Sequence, residues 1–184
     1  MNACAYLVEP AGGADTALRA IASRLGFATV LPYGGIALAE QQLLQTPLCF
    51  FLFAAVPAVK SLASAAQAIR FCTSRRLRFS PLIYFAKDAS LETIKACINM
   101  GFDDIIIEPF SKRRVEERLS RQIGTSLTYY ETASYFGPDR RNRLGEQTDH
   151  GDHHRNGGQY RRLEIIRNLI TGINVVRDDL QVML

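Results

Sequence analysis

Five short runs rich in β-branched and aromatic residues, at positions 5–8, 28–32, 48–54, 82–85 and 104–107, alternate with longer stretches whose apolar residues recur at helical spacing. No other feature constrains the fold as strongly. The helical stretches fall at 15–25, 35–45, 59–71, 91–100 and 112–123; in the first, Leu18, Ile21, Ala22 and Leu25 share one face. A strand–helix unit repeated five times predicts a parallel sheet wrapped by helices. The runs at 49–55 and 105–107 are apolar without alternation, as central strands covered on both faces must be. Right-handed crossovers then give an open, doubly wound α/β sheet.

With 47% hydrophobic and 22% charged residues among 184, and a net charge of +4, the chain can bury one domain core. Its longest apolar run, 47–59, is broken by Pro57 and falls short of the roughly 20 residues that cross a bilayer, so no membrane insertion is expected. The first arginine is Arg19, and no basic stretch precedes the first apolar residues, which argues against a secretory signal and for a cytoplasmic location. Cys4, Cys49, Cys72 and Cys97 are widely spaced within apolar stretches and predict buried, reduced thiols.

Beyond residue 124 the composition changes. Residues 137–162 hold five glycines, all three histidines and one aliphatic side chain, Leu144. This predicts a domain over 1–124, a polar linker over 125–160 and an amphipathic helix over 161–184. In that last segment Ile166, Leu169, Ile173, Val176, Leu180 and Met183 follow one another at steps of 3 and 4. Two features oppose a helix there: Arg161 and Arg162 at its start and Asp178 and Asp179 near its end run against the helix dipole, and Gly172 costs about 1 kcal/mol.

Residues 80–123 resemble the second half of bacterial response-regulator receiver (CheY-like) domains. Ser80-Pro81-Leu82-Ile83-Tyr84-Phe85-Ala86 is similar to their fourth strand, Glu92 through Asp104 to the fourth helix and its glycine turn, and Ile107-Glu108-Pro109-Phe110-Ser111 to their Lys-Pro-Phe signature. Upstream, Tyr6-Leu7-Val8-Glu9 resembles the first strand with its terminal acid, and residues 52–62, with Val56-Pro57, the third strand and the turn after it. The resemblance covers residues 3 to about 124. It implies a flavodoxin-like sheet in the order 2-1-3-4-5 and a place in two-component signalling or a phosphorelay.

Receivers phosphorylate an aspartate with the help of magnesium, which prefers carboxylate and phosphate oxygens. The resemblance places the phosphoacceptor at Phe53, and neither Leu52 nor Ala54 beside it is a carboxylate. The acid pair becomes Glu9-Pro10, the phosphate-binding Lys becomes Glu108, the Ser/Thr becomes Ala86, and the switch aromatic becomes Ile105. The framework is kept and the chemistry is not, so the chain resembles a degenerate pseudo-receiver. No catalytic residue, cofactor or metal site is expected. Glu9 and Glu108, if on neighbouring strands, would form a carboxylate pair within reach of Lys87, with Asp103 and Asp104 competing for the same lysine.

Three further groups are candidates. The basic helix at 112–123, with Arg113, Arg114 and Arg118, and the apolar stripe through Ile166, Ile173 and Leu180 are candidate partner faces, for a kinase, a regulator or effector, or a second copy. Arg140, Arg141 and Arg143, after Tyr135 and Phe136, suit phosphate or nucleotide contacts, hence nucleic acid or a cyclic dinucleotide as the alternative ligand. Asp149, His150, Asp152, His153 and His154 match no closed tetrahedral metal site. The sequence thus predicts a non-enzymatic signalling adaptor that acts by protein binding.

Overall fold

The computed structural model describes residues 1–9, 16–88, 90–139 and 159–182. Strands β1 (Cys4–Val8), β2 (Thr29–Pro32), β3 (Cys49–Phe53), β4 (Leu82–Ala86) and β5 (Asp104–Ile107) form one parallel sheet. Their order is β2-β1-β3-β4-β5. The expected doubly wound sheet is therefore present, with each strand at its predicted place. Helices α1 (Thr16–Arg24), α2 (Ile36–Gln42), α3 (Ala63–Arg70), the single turn α4 (Arg75–Arg78), α5 (Leu91–Asn99) and α6 (Lys112–Ser120) follow in chain order, a 3₁₀ turn at Val59–Leu62 leading into α3. Ser90 and Ser111 cap α5 and α6, their hydroxyls accepting from the backbone N–H of Thr93 and Arg114.

Strand alternation divides the core into two layers. Phe51 and Phe53 of β3 point with Tyr6 and Tyr84 toward the face covered by α2, α3 and α5. Phe50 and Leu52 point with Leu7 and Phe85 toward the face covered by α1 and α6. Every residue of β3 is buried, which is why its run Cys-Phe-Phe-Leu-Phe carries no polar alternation. Cys4, Cys49 and Cys97 are buried free thiols, and Cys72 is half-buried.

The C-terminal third departs from expectation. Strands β6 (Ser126–Glu131), β7 (Phe136–Pro138), β8 (Gln159–Asn168) and β9 (Gly172–Val182) form an antiparallel sheet in the order β7-β6-β8-β9. The predicted linker over 125–160 thus contains β6 and β7, and the helix predicted over 161–184 is replaced by the hairpin β8–β9. On β8, Leu163, Ile165 and Arg167 alternate into the interior with period 2. On β9, Val175 pairs with Ile165 and Arg177 with Glu164, so Val176 is an extra, bulged residue. The bulge accounts for the step of 3 from Ile173 to Val176, and the turn that holds Leu169 for the step from Ile166, so the spacing arises without any helix. Gly172, a liability in a helix, opens β9 at φ +81°.

Phe79, Tyr129, Phe136, Leu163 and Ile165 form a third core cluster between the two sheets. Phe79 meets the rings of Tyr129 and Phe136 edge-on, at 5.3 and 5.1 Å between centroids. Close approach of β7 depends on a glycine pair: a Cβ on Gly137 would lie 2.8 Å from the Cα of Gly101, and one on Gly101 would collide with the Phe136 carbonyl. Gly101 also has φ +78°, a conformation costly for other residues. Gly101→Ala should therefore lower unfolding stability by about 2 kcal/mol or more, read as a shifted urea midpoint at unchanged slope.

Candidate functional site

Parallel register gathers the carboxyl ends of the strands along one edge, where open α/β sheets hold ligands. Val8 pairs with Phe53 and Ala86 with Ile107, so Glu9, Phe53, Ala86 and Glu108 all stand at this edge. Phe53 is fully buried, its ring edge-on to Phe102 at 4.7 Å. Ala86 is buried, and Ile105 packs half-buried against the same core layer. Glu108 is exposed, and Glu9 is half-buried with a carboxylate oxygen that has no hydrogen-bond partner among the described residues. Pro10 lies outside the described residues.

Two expectations at this edge need correction. β1 and β5 are not neighbours: β3 and β4 stand between them. Three strand spacings of about 4.8 Å put their backbones about 14 Å apart, too far for Glu9 and Glu108 to act as a carboxylate pair. Asp103 and Asp104 do not compete for Lys87 either, because both are bound to arginines elsewhere. Asp104 accepts from Arg118, whose Nε lies 2.6 Å from Oδ2, and this bond raises the pKa of the guanidinium. Among the described residues, no group of three or more His, Cys, Asp or Glu could hold a metal ion.

The candidate partner faces divide likewise. Arg118 is tied to Asp104 and to the Ile105 carbonyl at 3.2 Å, and is a structural residue. Arg113 and Arg114 are exposed, Arg113 bridging to Glu117 one turn on at 3.3 Å. Ile166, Ile173 and Leu180 do not form a stripe: pairing puts Ile166 on the side of β8 opposite the buried Ile165 and Arg167, Ile173 packs on the core, and Leu180 is exposed on β9. Phe136, one of the two aromatics ahead of the candidate phosphate-contacting arginines, is buried under Arg78, whose guanidinium lies 3.9 Å from the ring centroid. Arg140, Arg141 and Arg143, and the Asp149–His154 cluster, lie outside the described residues.

A buried charged site among the described residues brings Asp103 together with two arginines that patterning did not single out. Asp103, just before β5, is 2% exposed and receives hydrogen bonds from α3, β4, β6 and β8. Arg70 of α3 donates to Oδ2 at 2.6 Å and the Leu82 backbone N–H of β4 at 2.8 Å. Arg167 of β8 donates to Oδ1 at 2.7 Å, and so does the Tyr129 hydroxyl of β6. Burial alone would push the Asp103 carboxyl up; Arg167 and Arg70 outweigh it and, with Tyr129, hold the group well below the usual carboxylate range. Burial likewise pushes the Tyr129 hydroxyl well above its ordinary value, so it stays a donor.

Two buried guanidiniums face one carboxylate, and backbone dipoles take up the remaining charge. Arg70 donates to the carbonyls of Gly101, Arg78 and Ser80, and Arg167 to the Phe79 carbonyl at 2.8 Å and Gln122 Oε1 at 2.9 Å. Both arginines had weak sequence signals. Arg70 adjoins the buried Ile69 on an otherwise uncharged helix, and Arg167 continues the inward alternation of Leu163 and Ile165.

No protein-family model and no curated protein matches this sequence. Among solved structures it is similar to a signal receiver domain of a two-component histidine kinase from Clostridium thermocellum, at 16% identity over 64% of this chain and 94% of that one, with a TM-score of 0.45. It is also similar to the receiver domain of a sensor histidine kinase from Pseudomonas aeruginosa, at 22% identity over 64% and 94%, with a TM-score of 0.46. A response regulator from Thermotoga maritima matches at 14% identity over 66% and 97%, with a TM-score of 0.46. The fold is flavodoxin-like, the class to which receiver domains belong. It stands on the strand order and register given above, with an antiparallel sheet added at the C-terminal end. Among the described residues no helix is long and apolar enough to cross a membrane.

Removing Asp103 should leave two buried cations uncompensated. Asp103→Asn is expected to cost about 3–5 kcal/mol at pH 7. The folded carboxyl titrates below its unfolded value of about 3.9, so its stabilisation is complete above that pH and is lost as pH falls toward the folded value. Urea titrations from pH 7 to 3 should show the gap between wild type and Asp103→Asn narrowing only below about pH 4.

Proposed function

We propose that this chain is a signalling module of the receiver fold that acts by binding proteins, itself included, and does not carry a phosphoryl group. The observation that carries this reading is Phe53. It ends β3 where the receiver resemblance places the phosphoacceptor, and its ring is fully buried against Phe102. A phenyl ring offers no oxygen to phosphorylate and no ligand to a cation, and its neighbours Leu52 and Ala54 are equally inert.

Three other positions support the same reading. Ala86 has no hydroxyl to bond a phosphoryl oxygen, and Glu108 presents a negative charge where a phosphoryl group would need a positive one. Ile105, half-buried in the core layer, is no aromatic switch. What remains for such a module is contact through its surfaces with a kinase, regulator or effector of a bacterial signal-transduction pathway.

Incubation of the full chain with acetyl phosphate and magnesium, followed by intact-mass analysis, tests the proposal. The mass should stay unchanged. A labile adduct of one phosphoryl group, about 80 Da, would contradict it.

A further inference from the structure

β9 is the terminal strand of its sheet, and β8 is its one neighbour among the described residues. An open strand edge presents unpaired N–H and C=O groups, which proteins either block or pair. This edge is eleven residues long and carries two exposed apolar side chains, Val176 at 54% and Leu180 at 69%. Between them stand Arg177, Asp178 and Asp179.

Pairing fixes which way these residues point. Asp178 lies opposite the buried Leu163 and Leu180 opposite Arg161, so both share the side facing the parallel-sheet domain; Val176 is the bulged residue, at which the alternation breaks. Arg177 and Asp179 take the outer side with Glu164 and Arg162, their partners across the ladder. Centred on Asp178, the segment is complementary to its own reverse. Val176, at the bulge, stands level with Leu180, and on the outer side Arg177 and Asp179, paired at 2.5 Å within each copy, meet their opposites of the second copy.

We propose that β9 pairs antiparallel with β9 of a second copy about a two-fold axis at Asp178, joining two four-stranded sheets into one. The register sets Val176 against Leu180 and Arg177 against Asp179, each twice by symmetry. The one like-charged contact, Asp178 against Asp178, is already neutralised. In each copy Arg75 of α4 lies 3.0 Å from the Asp178 carboxylate, and Arg161 of β8 donates to both of its oxygens.

Competing arrangements lack this match. Parallel in-register pairing stacks Arg177 on Arg177 and Asp179 on Asp179. A slip of one residue sets Val176 against Asp179 and turns the inner side of one copy onto the outer side of the other. The pairing therefore closes as a dimer rather than growing into an open stack. This contact deepens the protein-binding function proposed above by naming the surface, and it does not depend on the absence of phosphoryl transfer.

Sedimentation velocity of the full chain at tens of micromolar tests it, with circular dichroism to confirm folding. Wild type should sediment at twice the 20.5 kDa chain mass. Arg177→Asp makes all four outer charges negative and Asp179→Arg makes them positive, so each should weaken the dimer about tenfold or more, whereas the double swap should restore it. Leu180→Lys, at an exposed position, should weaken it as well and decides the matter if a charge variant fails to fold. A monomeric wild type, a dimer that survives Leu180→Lys or the single reversals, or a double swap that stays monomeric would each overturn the proposal.

Discussion

The Asp103 carboxylate is the point on which the two sheets depend. It sits where β5 begins, and its hydrogen bonds come from α3, β4, β6 and β8, so one group of atoms fixes four segments of chain. A buried carboxylate is tolerable only when its charge is matched and its lone pairs are filled. Arg70 alone matches the charge, but the hydrogen bonds that Arg167 and Tyr129 give to Oδ1 come only with the antiparallel sheet. The third core cluster of Phe79, Tyr129, Phe136, Leu163 and Ile165 surrounds this site with apolar contact and excludes water from the ions. Polar specificity and apolar burial therefore act at one interface.

The two ends of the parallel sheet differ in kind. At the carboxyl edge Phe53 and Ala86 are buried and continue the core. At the amino end of β5 the buried pairing of Arg70 and Arg167 with Asp103 joins the antiparallel sheet to the parallel one.

Much of this was legible in the sequence, and the limits have physical causes. The five parallel strands were readable because burial on both faces removes polar alternation, as in Cys49–Phe53, and helical spacing between strands left little ambiguity. The β8–β9 hairpin was not readable as strands, because the turn at Leu169 and the bulge at Val176 together convert period 2 into steps of 3 and 4. The contrary signals were nonetheless there: charges opposing a helix dipole, and Gly172 mid-segment. Which residues stand where the receiver resemblance places its chemistry, Phe53, Ala86 and Glu108, could be read one by one. The spacing of Glu9 and Glu108 could not, because strand order, not chain order, sets which carboxylates meet. Arg70 and Arg167 were hidden for a related reason: a buried arginine looks like a surface arginine until its carboxylate is placed beside it.

If the Asp103 cluster makes the two sheets one cooperative unit, both must open together. Native-state hydrogen exchange tests this most directly by comparing amides of β3 and β4 with those of β6 and β8. The structure predicts that the slowest amides in both sheets exchange with the same opening free energy and the same denaturant dependence, equal to global unfolding. Amides of β6 and β8 that all exchange through a separate opening, well below the free energy that protects β3, would contradict it.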